Sequence, residues 1–267
     1  DLPKLQEFTP FKQASLRFGI EATDFGSIEK ALSEEAPDVL INAVGVVKQR
    51  DVANSHIHCL QINSLLPHKL AEICQKRGVR FVTFSTDCVF SGDKGMYTED
   101  DNPDAIDLYG RSKLLGEVGY LENSLTIRSS IIGTELLGVQ GLLEWFFSQK
   151  SAGKVSGFYR AIYSGLTTIA MSELVNTIIT DHKELSGVYH VASEPINKYD
   201  LLNKVNSACD LNINIEKNVD FVCDRSLISK RFEQDAGFAC PSWAEMIKQF
   251  AEDVRAVGYD QIREQLC

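Results

Sequence analysis

The sequence predicts an α/β protein built on a doubly wound parallel sheet. Short apolar runs alternate with helix-like patterns along the chain. The runs are mostly apolar rather than strictly alternating, which marks strands buried on both faces. Strand and helix follow one another in succession, the order that a parallel sheet with crossover helices requires.

Pro37-Asp38 leads into Val39-Leu40-Ile41-Asn42-Ala43-Val44, which reads as a buried parallel strand. From about Val52 to Arg77, Leu60, Leu65, Leu66, Leu70 and Ile73 form a helix pattern, and Gly78 stands where a C-terminal cap is needed. Val79 to Ser85 is the next strand, and Ser91 to Asp107, rich in Gly, Asp and Asn, is a loop. A helix is expected over Tyr109–Tyr120, strands at Leu125–Arg128 and Gly187–Val191, and a helix at Ser172–Thr180. After about residue 145 the pattern loosens. Ile213–Phe221 and Val222–Arg225 read as parts of a small appended subdomain. Pro241 opens a last amphipathic helix through Trp243, Met246, Ile247 and Phe250.

The 267 residues suffice for one large domain, or for a nucleotide-binding domain carrying a smaller one. A formal net charge of -10 argues against nucleic acid and anionic membranes as partners. A polyanionic ligand would need a local cationic pocket. Seven scattered cysteines with no C-x-x-C spacing fit reduced thiols in a cytoplasmic protein and argue against zinc. No apolar run approaches the roughly 18 residues of a membrane span, and no signal-peptide pattern is seen.

The chemistry is concentrated in Tyr109-Gly110-Arg111-Ser112-Lys113 and, upstream, Ser85-Thr86-Asp87. Tyr109 and Lys113, at i and i+4, share one helix face. A lysine beside a phenol lowers its pKa through positive charge, and a threonine hydroxyl orients the tyrosine or a carbonyl substrate. Together they suit proton transfer in redox chemistry at an alcohol or ketone. Tyr-x-x-x-Lys is common by chance; its place after a strand ending in Ser-Thr-Asp is what gives it weight.

A doubly wound sheet that holds a dinucleotide opens with a strand, a Gly-rich turn and a helix. None of the 18 glycines forms G-x-G-x-x-G or G-x-x-G-x-x-G. The expectation is a chain lacking roughly 30 N-terminal residues, about one strand–helix–strand unit, rather than one that never bound a dinucleotide. Val39–Val44 would then lose a neighbour and leave an open edge.

Several segments together resemble the extended short-chain dehydrogenase/reductases, in their dTDP-4-dehydrorhamnose reductase-like branch. They are Asn42-Ala43-Val44-Gly45, Ile62-Asn63, Phe84 to Gly92, Tyr97-Thr98-Glu99-Asp100-Asp101, Leu108 to Glu117 and Arg128-Ser129-Ser130. The likeness runs from about residue 15 to the C-terminus and is most specific from Ser85 to Glu117. It implies a Rossmann-type NAD(P)-binding domain over residues 1–150, with return segments near 160–192, and a mainly substrate-binding subdomain over 193–267. It implies hydride transfer from NADP or NAD to a nucleotide-linked 4-keto-6-deoxysugar, with Tyr109 donating the proton. Lys113 would depress the Tyr109 pKa and hold the nicotinamide ribose, and Thr86 would bond the substrate oxygen. Asp24 and Phe25, after a strand near Leu16–Ile20, match the adenine contact. Ala43, Val44 and Gly45 match the close backbone approach to the cofactor, although small residues at a strand end also make a plain tight turn. Helices of this type often pack into homodimers in the family.

The departures narrow the reading. Cys88 stands where the branch has Tyr, Ile131 where reductases often carry Trp, and Gly165-Leu166-Thr167-Thr168 where Gly-x-Pro-Thr is usual. Related dehydratases use Thr-Asp-Glu; here the third residue is Cys88, a poor acid or base at an unperturbed pKa of about 8.5. Reduction or epimerisation remains open, as does a non-catalytic regulatory or sugar-nucleotide-binding role on the same fold. Asp87 and Cys88 are expected at the substrate. Arg225 either pairs with a nucleotide diphosphate or makes a surface salt bridge with Asp224 or Glu233. His56 and His58, at i and i+2, point apart and make no metal site. Lys48-Gln49-Arg50 reads as solvated surface or phosphate contact. Trp145, Phe146 and Phe147 read as packing or interface.

Overall fold

The computed structural model describes residues 14–47, 55–135, 140–151 and 153–257. Its centre is a four-stranded parallel sheet in the order β1-β2-β3-β7, formed by β1 Val39–Asn42, β2 Arg80–Phe84, β3 Ser124–Arg128 and β7 Gly187–His190. Phe81, Val82, Leu125 and Ile127 are buried in its interior strands, as apolar runs demand. β1 is the outer strand among the described residues, and Ile41 on it is 40% exposed.

Helix α1, Phe25–Glu35, is capped by the Asp24 side chain, which accepts from Ser27 N at 3.3 Å. Between β1 and β2 the chain is helical from His56 to Arg77, in three pieces. These are α2 His56–Cys59, a π segment Leu60–Leu65 and α3 Leu66–Arg77. Pro67 stands at the start of α3, directly after the π segment, and Gly78 closes the helix at φ 69°. Thus one expected helix is interrupted at Asn63, whose side chain is used elsewhere.

Helix α4, Leu108–Leu115, is capped by Asp107, which accepts from Gly110 N at 2.8 Å. It ends short of the expected Tyr120. Gly116 abuts the Asn63 carbonyl, and the Thr126 hydroxyl captures Val118, accepting from its N–H and donating to its carbonyl at 3.0 Å each. Tertiary contacts thereby override helical spacing. The Leu16–Ile20 segment makes no strand with the described residues; Phe18 and Ile20 lie exposed, and Arg17 ties it to Glu34 and Glu35 of α1.

The remaining chain builds a second layer. β4 Ile131–Ile132 pairs with β6 Leu166–Thr167, and α5 Leu142–Ser148 lies between them in sequence. β5 Lys154–Tyr163 pairs in parallel with β9 Asn214–Asp224 and antiparallel with β8 Ile196–Asn197. β9 joins the two segments that the sequence separates, pairing with β5 over 214–218 and again over 222–224 on either side of a register shift. Helices α6 Thr168–Asp181, α7 Lys198–Ala208, α8 Lys230–Ala236 and α9 Trp243–Val257 complete the fold. The main core holds residues of both layers, including Ile127, Phe146, Tyr163, Ile178, Trp243 and Phe250. Phe147 stacks on Phe250 at 6.1 Å, so this aromatic run serves packing, with Trp145 at the surface. No helix among the described residues is long and apolar enough to cross a membrane.

Candidate active site

Parallel α/β sheets bind ligands beyond the carboxyl ends of their strands. β2 delivers Phe84, Ser85, Thr86 and Asp87 to that edge. Thr86 is extended and caps a short 3-10 turn, Asp87–Val89. Its hydroxyl accepts from Cys88 N and donates to Asp87 Oδ1, both at 3.1 Å. The Thr86 side chain also acts on the Tyr109 phenol, drawing its pKa down. Lys113 Nζ donates to the Phe84 carbonyl at 2.6 Å. The end of β2 therefore holds Lys113 of α4 and brings together the residues expected to act there.

The electrostatics differ from the simple expectation for Tyr109. Burial raises its phenol well above the usual 10, Cys88, Asp87 and Asp107 push the same way, and the Thr86 side chain opposes. Burial holds Lys113 down to about 8, against the Glu117 carboxylate. Burial is the largest influence at both groups: neighbouring charges add to it at Tyr109, and it outweighs Glu117 at Lys113, so Tyr109 is a protonated acid at neutral pH.

Close packing fixes this geometry. A Cβ at Gly110 would collide with the Cys88 carbonyl and stand 2.7 Å from Ala105 Cβ. On the other side of α4, Asn63 Nδ2 donates to Ser112 Oγ and to the Val46 carbonyl, both at 3.1 Å, and its Oδ1 accepts from Val46 N at 2.8 Å. Ser64 Oγ donates to the Ser112 carbonyl at 2.8 Å. The π segment thereby ties α4 to the loop after β1. Gly110→Ala is expected to cost about 1–3 kcal/mol, the range for overpacking a filled site, measured as a lower urea midpoint.

Beneath the trio lies a buried charged cluster. Arg128 donates to both Glu117 oxygens at 2.7 Å, and Ser85 Oγ donates to Glu117 Oε1 at 2.6 Å. Arg128 Nη1 donates to His190 Nε2 at 3.2 Å, so the ring proton sits on Nδ1 and is donated to the Tyr97 carbonyl at 3.1 Å. Burial first and Arg128 second hold His190 down to about 3, so its ring is neutral.

A cavity of about 800 Å³ reaches Asp87 and Cys88, the residues that follow Thr86, while Thr86, Tyr109 and Lys113 are not part of its lining. Asp87, Cys88, Tyr163, Lys198 and Arg225 line it. Arg225 Nε donates to the Phe90 carbonyl at 2.9 Å and Nη1 to Cys88 Sγ at 3.6 Å. Asp224 instead accepts from Ser226, at 3.0 Å from N and 2.6 Å from Oγ. The surface salt-bridge reading of Arg225 gives way to a cavity position. Burial raises the Asp87 carboxyl, against Arg225, Cys88, Thr86 and Lys198. Cys88 is pushed up to about 12 by burial and Asp87. It lines the cavity as a neutral thiol, the opposite of an activated nucleophile.

Of the other predicted positions, Gly45 stands beside Lys113. Asp24 is exposed and capping, and Phe25 packs against the core beside α3. Ala43, Val44 and Gly45 form the exposed loop after β1. A Cβ at Gly45 would stand 3.9 Å from Lys113 Nζ. Lys48, Gln49 and Arg50 lie outside the described residues. Among the described residues no group of three or more His, Cys, Asp or Glu could hold a metal ion. Sequence reasoning passed over Tyr163, Lys198 and His190. Lys198 carried a weak signal, as the first helical residue after an Asn cap; Tyr163 and His190 carried none.

Residues 6–138 match the RmlD substrate binding domain family. Over 186 residues the chain is 28% identical to the probable low-salt glycan biosynthesis reductase Agl14 of Haloferax volcanii, covering 66% of this chain and 60% of that protein. Over 116 residues it is 28% identical to methionine adenosyltransferase 2 subunit beta of Bos taurus, covering 43% and 35%. The chain thus spans less than two thirds of these relatives. The fold superposes on dTDP-4-dehydrorhamnose reductase of Bacillus anthracis in complex with NADP, with a TM-score of 0.77, 21% identity and 94% of each chain covered. The sheet is therefore of Rossmann type. The family match and the Ser85–Glu117 motifs agree, and residues 6–138 belong to the RmlD substrate binding domain family.

Proposed function

We propose that this protein is an NAD(P)-dependent reductase of a nucleotide-linked 4-keto-6-deoxysugar. One juxtaposition carries the reading: Thr86 and Lys113 stand at the carboxyl edge of the sheet, and Asp87 and Cys88, next in the chain, line a cavity that holds Arg225 and Lys198. The two cations suit the diphosphate of a nucleotide-sugar, within a chain of net charge -10.

The donor set fits the ribose end of a nicotinamide cofactor. Lys113 has three N–H groups and directs one to the Phe84 carbonyl, leaving two for a ribose diol next to Gly45. Lys113 with Ala43, Val44 and Gly45 would hold that end, and Asp24 and Phe25 the adenine end. The bound cofactor supplies the hydride. Tyr109 gives its proton to the keto oxygen as that oxygen becomes a hydroxyl, and Thr86 holds the same oxygen. The Lys113 cation would stabilise the phenolate left behind. Cys88, neutral where dehydratases carry Glu, leaves water elimination without its base.

The domain division at about residue 150, a cytoplasmic location and a homodimer accompany this reading. A second reading, a non-catalytic subunit on the same fold, is favoured by the likeness to methionine adenosyltransferase 2 subunit beta.

Loss of NADPH or NADH absorbance with dTDP-4-keto-6-deoxyglucose separates the two. The reductase reading requires turnover, and binding of cofactor without turnover would favour the subunit. Lys113 loses its charge as pH rises through about 8, so turnover is expected to fall there. Stability runs the other way. The folded pKa lies below the unfolded 10.5, so the unfolded state binds more protons between the two values and this group adds stability as pH rises from about 8 to 10.5. A pH–rate profile and urea midpoints over one pH series check both signs.

A further inference from the structure

Tyr163 closes β5 and is only 6% exposed. Its ring is held on two sides. Trp243 lies at 5.4 Å between centroids, and a Cβ at Gly165 would come to 2.7 Å from Tyr163 Cε2. The hydroxyl is buried and finds no hydrogen-bond partner in the protein among the described residues. A native fold rarely leaves such a group unsatisfied, and an exception calls for a specific account.

The account lies in the cavity that Tyr163 lines with Asp87, Lys198 and Arg225. Burial first and the Asp87 carboxylate second push the phenol well above 10, so it remains a hydrogen-bond donor at neutral pH. The cavity wall therefore carries one immobilised neutral donor, its hydroxyl itself buried, with one carboxyl and two cations. The cations suit phosphate, and an isolated hydroxyl donor suits a neutral oxygen. We propose that Tyr163 is a specificity-determining residue whose hydroxyl donates to a hydroxyl or carbonyl oxygen of the sugar, while Arg225 and Lys198 hold the diphosphate. This assignment rests on the nucleotide-sugar reading of the site. It adds a residue from the second layer that none of the recognised motifs contains.

Tyr163→Phe removes the oxygen and keeps the ring. Calorimetric titration with dTDP-glucose and with dTDP alone, on wild type and variant, provides the test. The variant is expected to bind dTDP-glucose roughly 5- to 100-fold more weakly, the range for one buried hydrogen bond lost, with dTDP affinity unchanged. The unliganded variant should melt at the same temperature as wild type or higher, because an unpaired buried hydroxyl is gone. Equal affinities for dTDP-glucose would overturn the role of Tyr163 and leave the nucleotide-sugar reading intact. Equal weakening toward dTDP would also overturn the sugar contact. A melting temperature lower by more than about 4 °C, or failure to fold, would assign the hydroxyl to the fold instead. Wild type binding neither probe would overturn the underlying reading and this assignment together.

Discussion

Tyr109→Phe is expected to lower turnover by about 100- to 10,000-fold, the range for loss of a general acid, with cofactor and nucleotide-sugar affinities nearly unchanged. The substitution removes one oxygen from a ring whose helix is pinned elsewhere. Gly110 packs on the Cys88 carbonyl, Asn63 holds Ser112, and Lys113 bonds the Phe84 carbonyl, none of which involves the phenol. Thr86 keeps its bonds to Asp87 and Cys88 N. The loss therefore falls on kcat rather than on KM. Single-turnover kinetics with dTDP-4-keto-6-deoxyglucose measures it, and undiminished turnover would remove Tyr109 from its role.

Glu117→Gln is expected to destabilise the fold by about 3–5 kcal/mol, the cost of leaving a buried charge without its partner. The Glu117 and Arg128 side chains are 8% and 7% exposed, and Gln preserves shape while removing the charge. The neutral His190 ring and Ser85 cannot supply a counter-charge. Replacing both ions together, as Glu117→Leu with Arg128→Met, should recover much of the loss, because the surviving charge is then gone. A urea double-mutant cycle resolves the two contributions. Glu117 also supports the Lys113 cation. In Glu117→Gln the alkaline fall in turnover should move to lower pH, a change that a purely structural ion pair would not produce.

The differences between expected and observed elements share a cause. Apolar runs located β2, β3 and β7 to within a residue or two, because burial on both faces leaves a continuous signature. The end of α4 was misread because its stop signal is the contact of Gly116 with Asn63 and of Val118 with Thr126, distant in sequence. The π segment has no periodicity that separates it from an α-helix, and Asn63 shows its use only when Val46 and Ser112 are beside it. Leu16–Ile20 has strand composition, yet a strand needs a partner, and composition does not supply one.

The sequence by itself determined the α/β class, the trio Thr86, Tyr109 and Lys113, and the family that their context resembles. Those features are local, resting on side-chain period, helix spacing and residue chemistry within short segments. Only the tertiary structure decided which charges are buried, that Arg225 faces Cys88 rather than the surface, and that Tyr163 and Lys198 share a cavity with Asp87. Burial and close approach are properties of segments brought together from across the chain, and at Tyr109 and Lys113 burial reversed the pKa shift that local charge alone predicted for the phenol.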